Sequence, residues 1–437
     1  VQIDQNVVQP TDSPLLSTSK RKPGYFRWSL AFLFFIIGLI AYMDRSNIAV
    51  VAEPMMKDLG MSKVQFGLLA SLFSLGYAVS QIPGGILSER FGTRKIVTLA
   101  LFFWSVFTMA TAAVSSFLAM CIVRFLFGVG EGPLYPANAV FNTFWFQKHE
   151  KARAAGALLA GSYFGPVIAP AISVAIYQVL GWHGVFYVFG IIGIIIAGGW
   201  YLIGRDKPEQ HPWVSEYERA LIMGNRSVTD GEKKKAPWGR LLRNSQFWAV
   251  GLQYLAVAYM TSLFMTWLPT YLLEARHFSL QTMGFAASFP WLAICLVVLF
   301  GGGFSDALLR KGNSRMVARG IPAMAGLAIF IVTIYLASIT SDPWLNVLWL
   351  SLALGSLGLP VVTSWAIAAD KGGEFSGSVS GWMNTWGNVG AVFSPIICGW
   401  IAQNMGWDMA LLSSIIPILI AIFLWFLIKP DESLAEI

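Results

Sequence analysis

Twelve apolar runs constrain this chain more than any other feature. They fall near 27–51, 64–88, 96–115, 117–146, 154–180, 184–204, 245–272, 282–304, 319–340, 344–369, 378–404 and 408–428. A helix rises 1.5 Å per residue, so about 20 apolar residues cross a hydrocarbon core of roughly 30 Å. Backbone amides find no water there, which leaves helices or closed barrels as the possible structures. The two-residue alternation of a barrel strand is absent. Charged residues make up 12% of the chain, against about 25% in a soluble domain. The expected fold class is therefore an all-α membrane protein with twelve transmembrane helices.

The net charge of +7 would suit a nucleic-acid partner, but its placement argues otherwise. With both termini in the cytoplasm, 25 of the 30 Lys and Arg residues fall on cytoplasmic segments. Lys57, Lys63 and Arg276 face outward, and Arg45 and Arg124 lie within spans. That is the positive-inside pattern of a multi-pass protein, here expected in a bacterial inner membrane. The first run is long and lacks a small-residue cleavage site, so it reads as a retained helix preceded by a polar cytoplasmic tail over 1–26. Cys121, Cys295 and Cys398 sit in separate spans and read as reduced thiols. His149, His183, His211 and His277 have no metal-site spacing. No metal or cofactor is expected.

The polar stretch 205–243 separates six spans from six, and "WVSEYERALI" within it has the pattern of a short amphipathic helix on the membrane face. The halves also echo each other. "GILSERFGTRK" (85–95) follows span 2 and "GGFSDALLRKGNSR" (302–315) follows span 8, each with Gly four residues before an acid. Glu89 and Asp306, with Arg90 and Arg94, are candidate gating residues, because an acid there can latch onto an Arg or a helix end. This Gly-x-x-x-acid-Arg-x-Gly-x-Arg-Lys loop resembles the signature of the major facilitator superfamily. The resemblance implies two six-helix bundles, 27–204 and 244–429, around a central site of alternating access, with a short tail at 430–437.

Four ionisable side chains lie well inside spans: Asp44 and Arg45 in span 1, Arg124 and Glu131 in span 4. Two acids and two bases sum to zero, which permits compensation in a desolvated site. Arg124 and Glu131 are seven residues apart and share a helix face. Asp44 and Arg45 point about 100° apart, so each needs its own partner. Glu131 lies in "FGVGEGPLYPANAV", where Gly and Pro loosen the helix as cavity-lining backbone often is. Desolvation favours a protonated acid and a nearby guanidinium favours the carboxylate. An acid held between the two can exchange a proton.

"AYMDRSNIAV", "GLLASLFSLGYAVSQIPGGILSERFGTRK" and "RFLFGVGEGPLYPANA" together resemble the anion:cation symporter family. Its members include bacterial galactonate, glucarate and hexuronate permeases and the vesicular glutamate and sialic acid carriers. The resemblance implies proton-coupled uptake of an organic anion. It further implies that Asp44 and Glu131 are the protonatable acids, with Arg124 linking them to the site. Arg45 would meet the substrate carboxylate, and Tyr42 and Tyr77 would line the pocket. Ser162 stands where some sugar-acid members carry Gln.

The second half supplies neutral candidates. Gln253, Tyr254 and Tyr259 lie in span 7; Thr363, Ser364 and Trp365 follow Pro360; Asn384 and Asn388 lie one turn apart. Ser364, Trp365 and Asn384 are the expected contacts to a polyol chain, with interhelical bonding as the competing role for such residues. A drug exporter would share the "GSYFGPVIAP" pattern, but two buried Arg favour an anionic cargo. A nutrient receptor would need a larger cytoplasmic signalling domain. No intramembrane protease or nucleophile-elbow motif is present, which argues against an enzyme. The expected partners are a small organic anion, protons and the bilayer, with the chain working as a monomer.

Overall fold

A computed structural model of the chain describes residues 24–224 and 236–434. The described residues contain helices and turns but no β-strand. The first crossings are α1 (Phe26–Val50), α2 (Lys63–Phe91), α3 (Thr93–Ala113) and α4 (Phe117–Trp145). A helix at Lys151–Ile203 has 53 residues, far more than one crossing needs, and Gly181 breaks it with φ 68°. A left-handed φ is open to Gly at little cost, so the two arms, 151–180 and 182–203, form α5 and α6.

The second half comprises α7 (Ser245–Glu274), α8 (Leu280–Arg310) and α9 (Met316–Ile339). The long apolar stretch Pro343–Met405 is interrupted near Gly373 and gives α10 (343–372) and α11 (Ser376–Met405). Trp407–Ile428 forms α12. The ten long apolar helices thus make twelve crossings, as the sequence predicts. Polar residues fix several starts: Ser62, Ser116, Asn244, Ser279 and Asp342 each accept a backbone N–H of the helix they precede.

Lipid-facing apolar side chains such as Val179, Ile82 and Phe300 are exposed. The interior of α1–α6 is filled by Phe34, Trp104, Phe141 and Trp200, and that of α7–α12 by Phe264, Trp267, Phe330 and Trp425. One close approach matters for the site. A Cβ on Gly128 would strike the carbonyl oxygen of Phe73, and one on Gly76 that of Phe125. The two glycines bring the backbones of α2 and α4 into contact.

The connection between the halves defines a linker face; the opposite end is the far face. At the far face the halves meet. Lys63 Nζ of α2 pairs with Glu274 of α7 at 2.9 Å, Phe66 packs on Trp267, and Val64 N–H donates to Gln403 of α11. Toward the linker face α2 still packs on α4 through Gly84, while Ile86, Leu87, Glu89, Arg90 and Phe91 are exposed.

The amphipathic helix expected in the linker forms at Glu216–Gly224. It packs by charge as well as by apolar contact. Glu218 is 1% exposed, accepts the Phe26 and Arg27 backbone N–H groups and pairs with the Arg27 guanidinium at 2.9 Å. Arg27 also pairs with Glu150 at 2.9 Å. In the other half Lys371 is fully buried and donates to Gln246 and to the carbonyls of Lys429 and Glu432, fastening the end of α12. These basic residues look like ordinary positive-inside charges in the sequence; burial sets them apart. Most of the expected tail 1–26 and the linker residues 225–235 lie outside the described residues.

Candidate functional site

Between the halves lies a cavity of about 210 Å³. Tyr42 and Arg45 of α1, Phe73 of α2, Arg124 of α4 and Tyr163 of α5 form one wall. Tyr254, Thr261, Ser262 and Thr266 of α7 form most of the other, with Val361 of α10 and Ala391 of α11. The charged residues of the lining are both Arg and both belong to the first half.

Arg45 is the most elaborated group. Its Nε donates to Glu131 Oε1 at 2.7 Å, and Nη2 lies 2.6 Å from the same oxygen. Glu131 is fully buried where α4 breaks at Gly132 and Pro133. The guanidinium carbon lies 4.4 Å from the centroids of the Tyr42 and Tyr77 rings and 5.0 Å from that of Phe73. Phe73 and Tyr77 are one turn apart on α2, and the close approach of Gly128 to the backbone of both residues carries that face to α4 and Glu131. Ring quadrupoles attract a desolvated cation by about 2 kcal/mol. Arg45 is thereby held in an aromatic cage with one carboxylate as its counter-ion.

Asp44 forms no ion pair with Arg45, its neighbour in sequence, as the 100° offset predicts. It is 1% exposed, and Glu131, Trp104 and Arg124 surround it. The Trp104 indole N–H is the hydrogen-bonding neighbour of its carboxyl, outside close bonding distance, and Arg124 Nε and Nη2 have no hydrogen-bond partner among the described residues. The Arg124 guanidinium instead lies over Phe127 and Phe186, at 5.4 and 5.6 Å. The four intramembrane charges therefore divide into a bonded pair, Arg45–Glu131, and a looser one, Asp44 with Arg124.

The other candidates take varied positions. Ser162 is buried behind the wall, accepting from Tyr135 Oη at 2.6 Å and donating to the Leu158 carbonyl. Ser364 is buried and bonded to both amide atoms of Gln253, at 3.0 and 3.2 Å. Trp365 is partly exposed, and its Nε1 donates to the Tyr254 hydroxyl at 3.0 Å, at the edge of the cavity. Asn384 Nδ2 donates to Gln81 Oε1 at 3.0 Å, and Asn388 approaches the same oxygen at 3.4 Å, bridging α11 to α2. In this conformation Ser162, Ser364 and Asn384 are thus engaged with other side chains, the role that competed with the pocket at the sequence level.

The loop candidates do not join the two halves here. Glu89 and Arg90 are exposed. Arg94 donates to the Tyr201 carbonyl, and Asp306 pairs with Arg319 of its own half at 2.8 Å. Asp206, from the start of the linker, accepts from Thr93 Oγ1 and the Arg94 N–H and so caps α3. Sequence reasoning passed over Phe73, Tyr163, Thr261, Ser262 and Thr266 as wall residues. Phe73, four residues before Tyr77, carried a helical-spacing signal; the hydroxyls of α7 had none beyond their type.

A profile described as the Major Facilitator Superfamily matches residues 34–395. The chain is 34% identical to a probable galactarate/D-glucarate transporter of Bacillus subtilis (strain 168), covering 87% of this chain and 86% of that one. It is 31% identical to a probable galactarate/D-glucarate transporter of Escherichia coli (strain K12), covering 88% and 90%. It is also 31% identical to a D-galactonate transporter of Escherichia coli O6:H1, covering 89% and 92%. Among solved structures, a bacterial homolog of the human lysosomal transporter Spinster, inward-facing and occupied, superposes with a TM-score of 0.79. That likeness, at 17% identity over 94% of this chain and 98% of the other, concerns the fold. With twelve crossings around a central cavity and these relatives along most of its length, the chain belongs to the major facilitator superfamily of transporters.

Proposed function

We propose that this chain is a proton-coupled symporter that carries a small organic anion, a sugar acid such as an aldonate, aldarate or hexuronate, into the cytoplasm. The names of its relatives support the cargo class. The distribution of Lys and Arg supports a cytoplasmic linker face and cytoplasmic termini. On that assignment the far face, closed by the Lys63–Glu274 pair, is the outer one. That one chain supplies both walls supports a monomer as the working unit.

The observation that carries the mechanism is the bond between Arg45 and the buried Glu131 at the cavity wall. A substrate carboxylate and the Glu131 carboxylate compete for one guanidinium. A proton on Glu131 removes the competitor, and the substrate then takes its place. The four intramembrane charges sum to zero in the empty site, and a proton plus a monoanion leave that sum at zero. Either one alone leaves a net charge in a desolvated site, which costs several kcal/mol. The carrier therefore reorients empty or fully loaded. Asp44 is the second proton site, balanced by Arg124. Trp365 and Tyr254 offer an aromatic surface and a hydroxyl to the carbon chain.

Uptake into proteoliposomes, with and without an imposed pH gradient, tests this reading. The panel comprises aldonates, aldarates, hexuronates, aromatic acids and amino acids. Gradient-driven accumulation of at least one acid is expected. Transport of none of them, alongside export of lipophilic cations, would overturn it.

A further inference from the structure

Asn47 lies one helical turn beyond Asp44 on α1 and is fully buried, yet neither Nδ2 nor Oδ1 has a hydrogen-bond partner among the described residues. It is not alone. Nε and Nη2 of Arg124 and Oε2 of Glu131 are buried and unpartnered in the same way, and the Asp44 carboxyl has the Trp104 indole N–H as a hydrogen-bonding neighbour but no close bond. Trp104 of α3 and Arg124 and Glu131 of α4 surround the Asp44 carboxyl, and the i, i+3 spacing sets Asn47 on the same side of α1. An unpaired buried polar group costs about 1–3 kcal/mol. A group of them persists when small polar molecules can join its members, and such sites hold water with two to four polar partners. A residue that served only to bond helices together would show its partner.

We infer that Asn47 is a positioning residue of the proton-coupling unit, joined to Asp44 through bound water. This rests on the proton-coupled reading above. A carboxamide suits the task because it both donates and accepts. It donates toward Asp44 when the acid is ionised and accepts from it when the acid is protonated, and its own charge never changes. The charged groups facing Asp44 are Glu131 and Arg124 of α4, with Arg45 beside it on α1; α3 presents Trp104. On the cavity side of α1, α5 and α7 bring the titratable hydroxyls of Tyr163 and Tyr254. Asn47 is the neutral member of this set whose side chain carries both an amide donor and an amide acceptor, so it tunes Asp44 without altering the charge balance.

The test uses full-length Asn47→Leu, which keeps the side-chain size and removes both polar atoms, and Asn47→Ser, which restores a donor and an acceptor. pH-difference infrared spectroscopy on purified protein reads the Asp44 carboxylic C=O band, assigned by its loss in Asp44→Asn, and needs no substrate. Asn47→Leu should move the band and shift its titration midpoint by about one pH unit, a tenfold change in proton affinity. Asn47→Ser should recover part of the shift. In proteoliposomes, with a diacid that the unaltered chain accumulates, Asn47→Leu should cut gradient-driven uptake about tenfold and leave gradient-free counterflow within about twofold. An unmoved band and midpoint, or an equal loss of both transport modes, overturns the inference. If Asn47→Leu does not fold, Asn47→Ala carries the same comparison. Should the unaltered chain accumulate no acid, the symport reading fails by itself, while the infrared result still decides the role of Asn47.

Discussion

Glu131→Gln separates substrate binding from proton coupling. In the unaltered protein the Glu131 carboxylate holds Arg45 through a charge-assisted bond of 2.7 Å, with a second nitrogen at 2.6 Å from the same oxygen. One hydrogen bond to a charged group is worth about 1.5–3 kcal/mol net. A substrate anion arriving at high pH must displace it. Glutamine keeps the shape and can still accept from Arg45, but as a neutral partner with roughly half the strength. Removing half to all of that competition, about 1–3 kcal/mol, converts to binding about 5- to 150-fold tighter at high pH. The unaltered protein should bind more weakly as pH rises, because each binding event needs a proton on Glu131. The variant should lose most of that slope. Titration calorimetry across pH, on purified protein with a transported acid, measures both quantities. Proteoliposomes should then show counterflow retained and uphill uptake lost. Glu131→Gln that binds no tighter at high pH, keeps the same pH slope, or still concentrates substrate would refute the competition argument.

Charge balance also sets stoichiometry: a monoacid should enter with one proton and a diacid with two, the second on Asp44, so Asp44→Asn should spare monoacid transport more than diacid transport when reversal potentials are measured. At the linker face, Arg27→Met leaves Glu218 and Glu150 without their cation, and breaking a buried pair costs about 3–5 kcal/mol; thermal unfolding in detergent should register a marked loss. Although burial works the other way, hydrogen bonds from Arg27 hold the Glu150 carboxyl below its ordinary value of 4.5. Its contribution is therefore present above that pH and fades as pH falls through the lowered value. The stability gap between the unaltered protein and Glu150→Gln should close on acidification, and a gap that widens would contradict the assignment. At the far face, the Lys63–Glu274 pair is partly exposed and shares Glu274 Oε2 with the Trp407 indole N–H at 2.8 Å. Such pairs are worth up to about 1 kcal/mol, so Glu274→Gln should raise far-side maleimide labelling of Ser262→Cys about fivefold, in a background with Cys121, Cys295 and Cys398 replaced. Unchanged labelling would remove the pair from the gate.

The crossings were legible because each is a long apolar run, and that signal survives any packing. Even the division of Lys151–Ile203 was visible, since the runs 154–180 and 184–204 leave Gly181 between them. The four intramembrane charges announced themselves by cost alone. Their pairing did not. Asp44 and Arg45 diverge by helix geometry, but that Arg45 meets Glu131 depends on the close approach of Gly76 to Phe125 and of Gly128 to Phe73, residues 49 and 55 apart. Arg27 read as one more positive-inside charge, because nothing near it in sequence marks Glu218, 191 residues on, as its partner. Ser364 and Asn384 were chosen for type, and their neighbours Gln253 and Gln81 belong to other helices. Local periodicity fixes which face a residue occupies; which helix that face meets is decided by shape.

The charged residues that line the cavity, Arg45 and Arg124, belong to α1 and α4, and the facing wall of α7, α10 and α11 is neutral. The consequence is evolutionary. On the proposed symport mechanism, substitutions on the neutral wall would alter the fit of a cargo without disturbing the groups that harness the gradient, so cargo preference could drift while the motor is inherited intact. A chimera joining α1–α6 of this chain to α7–α12 of a relative should inherit its energetics from one parent and its diet from the other.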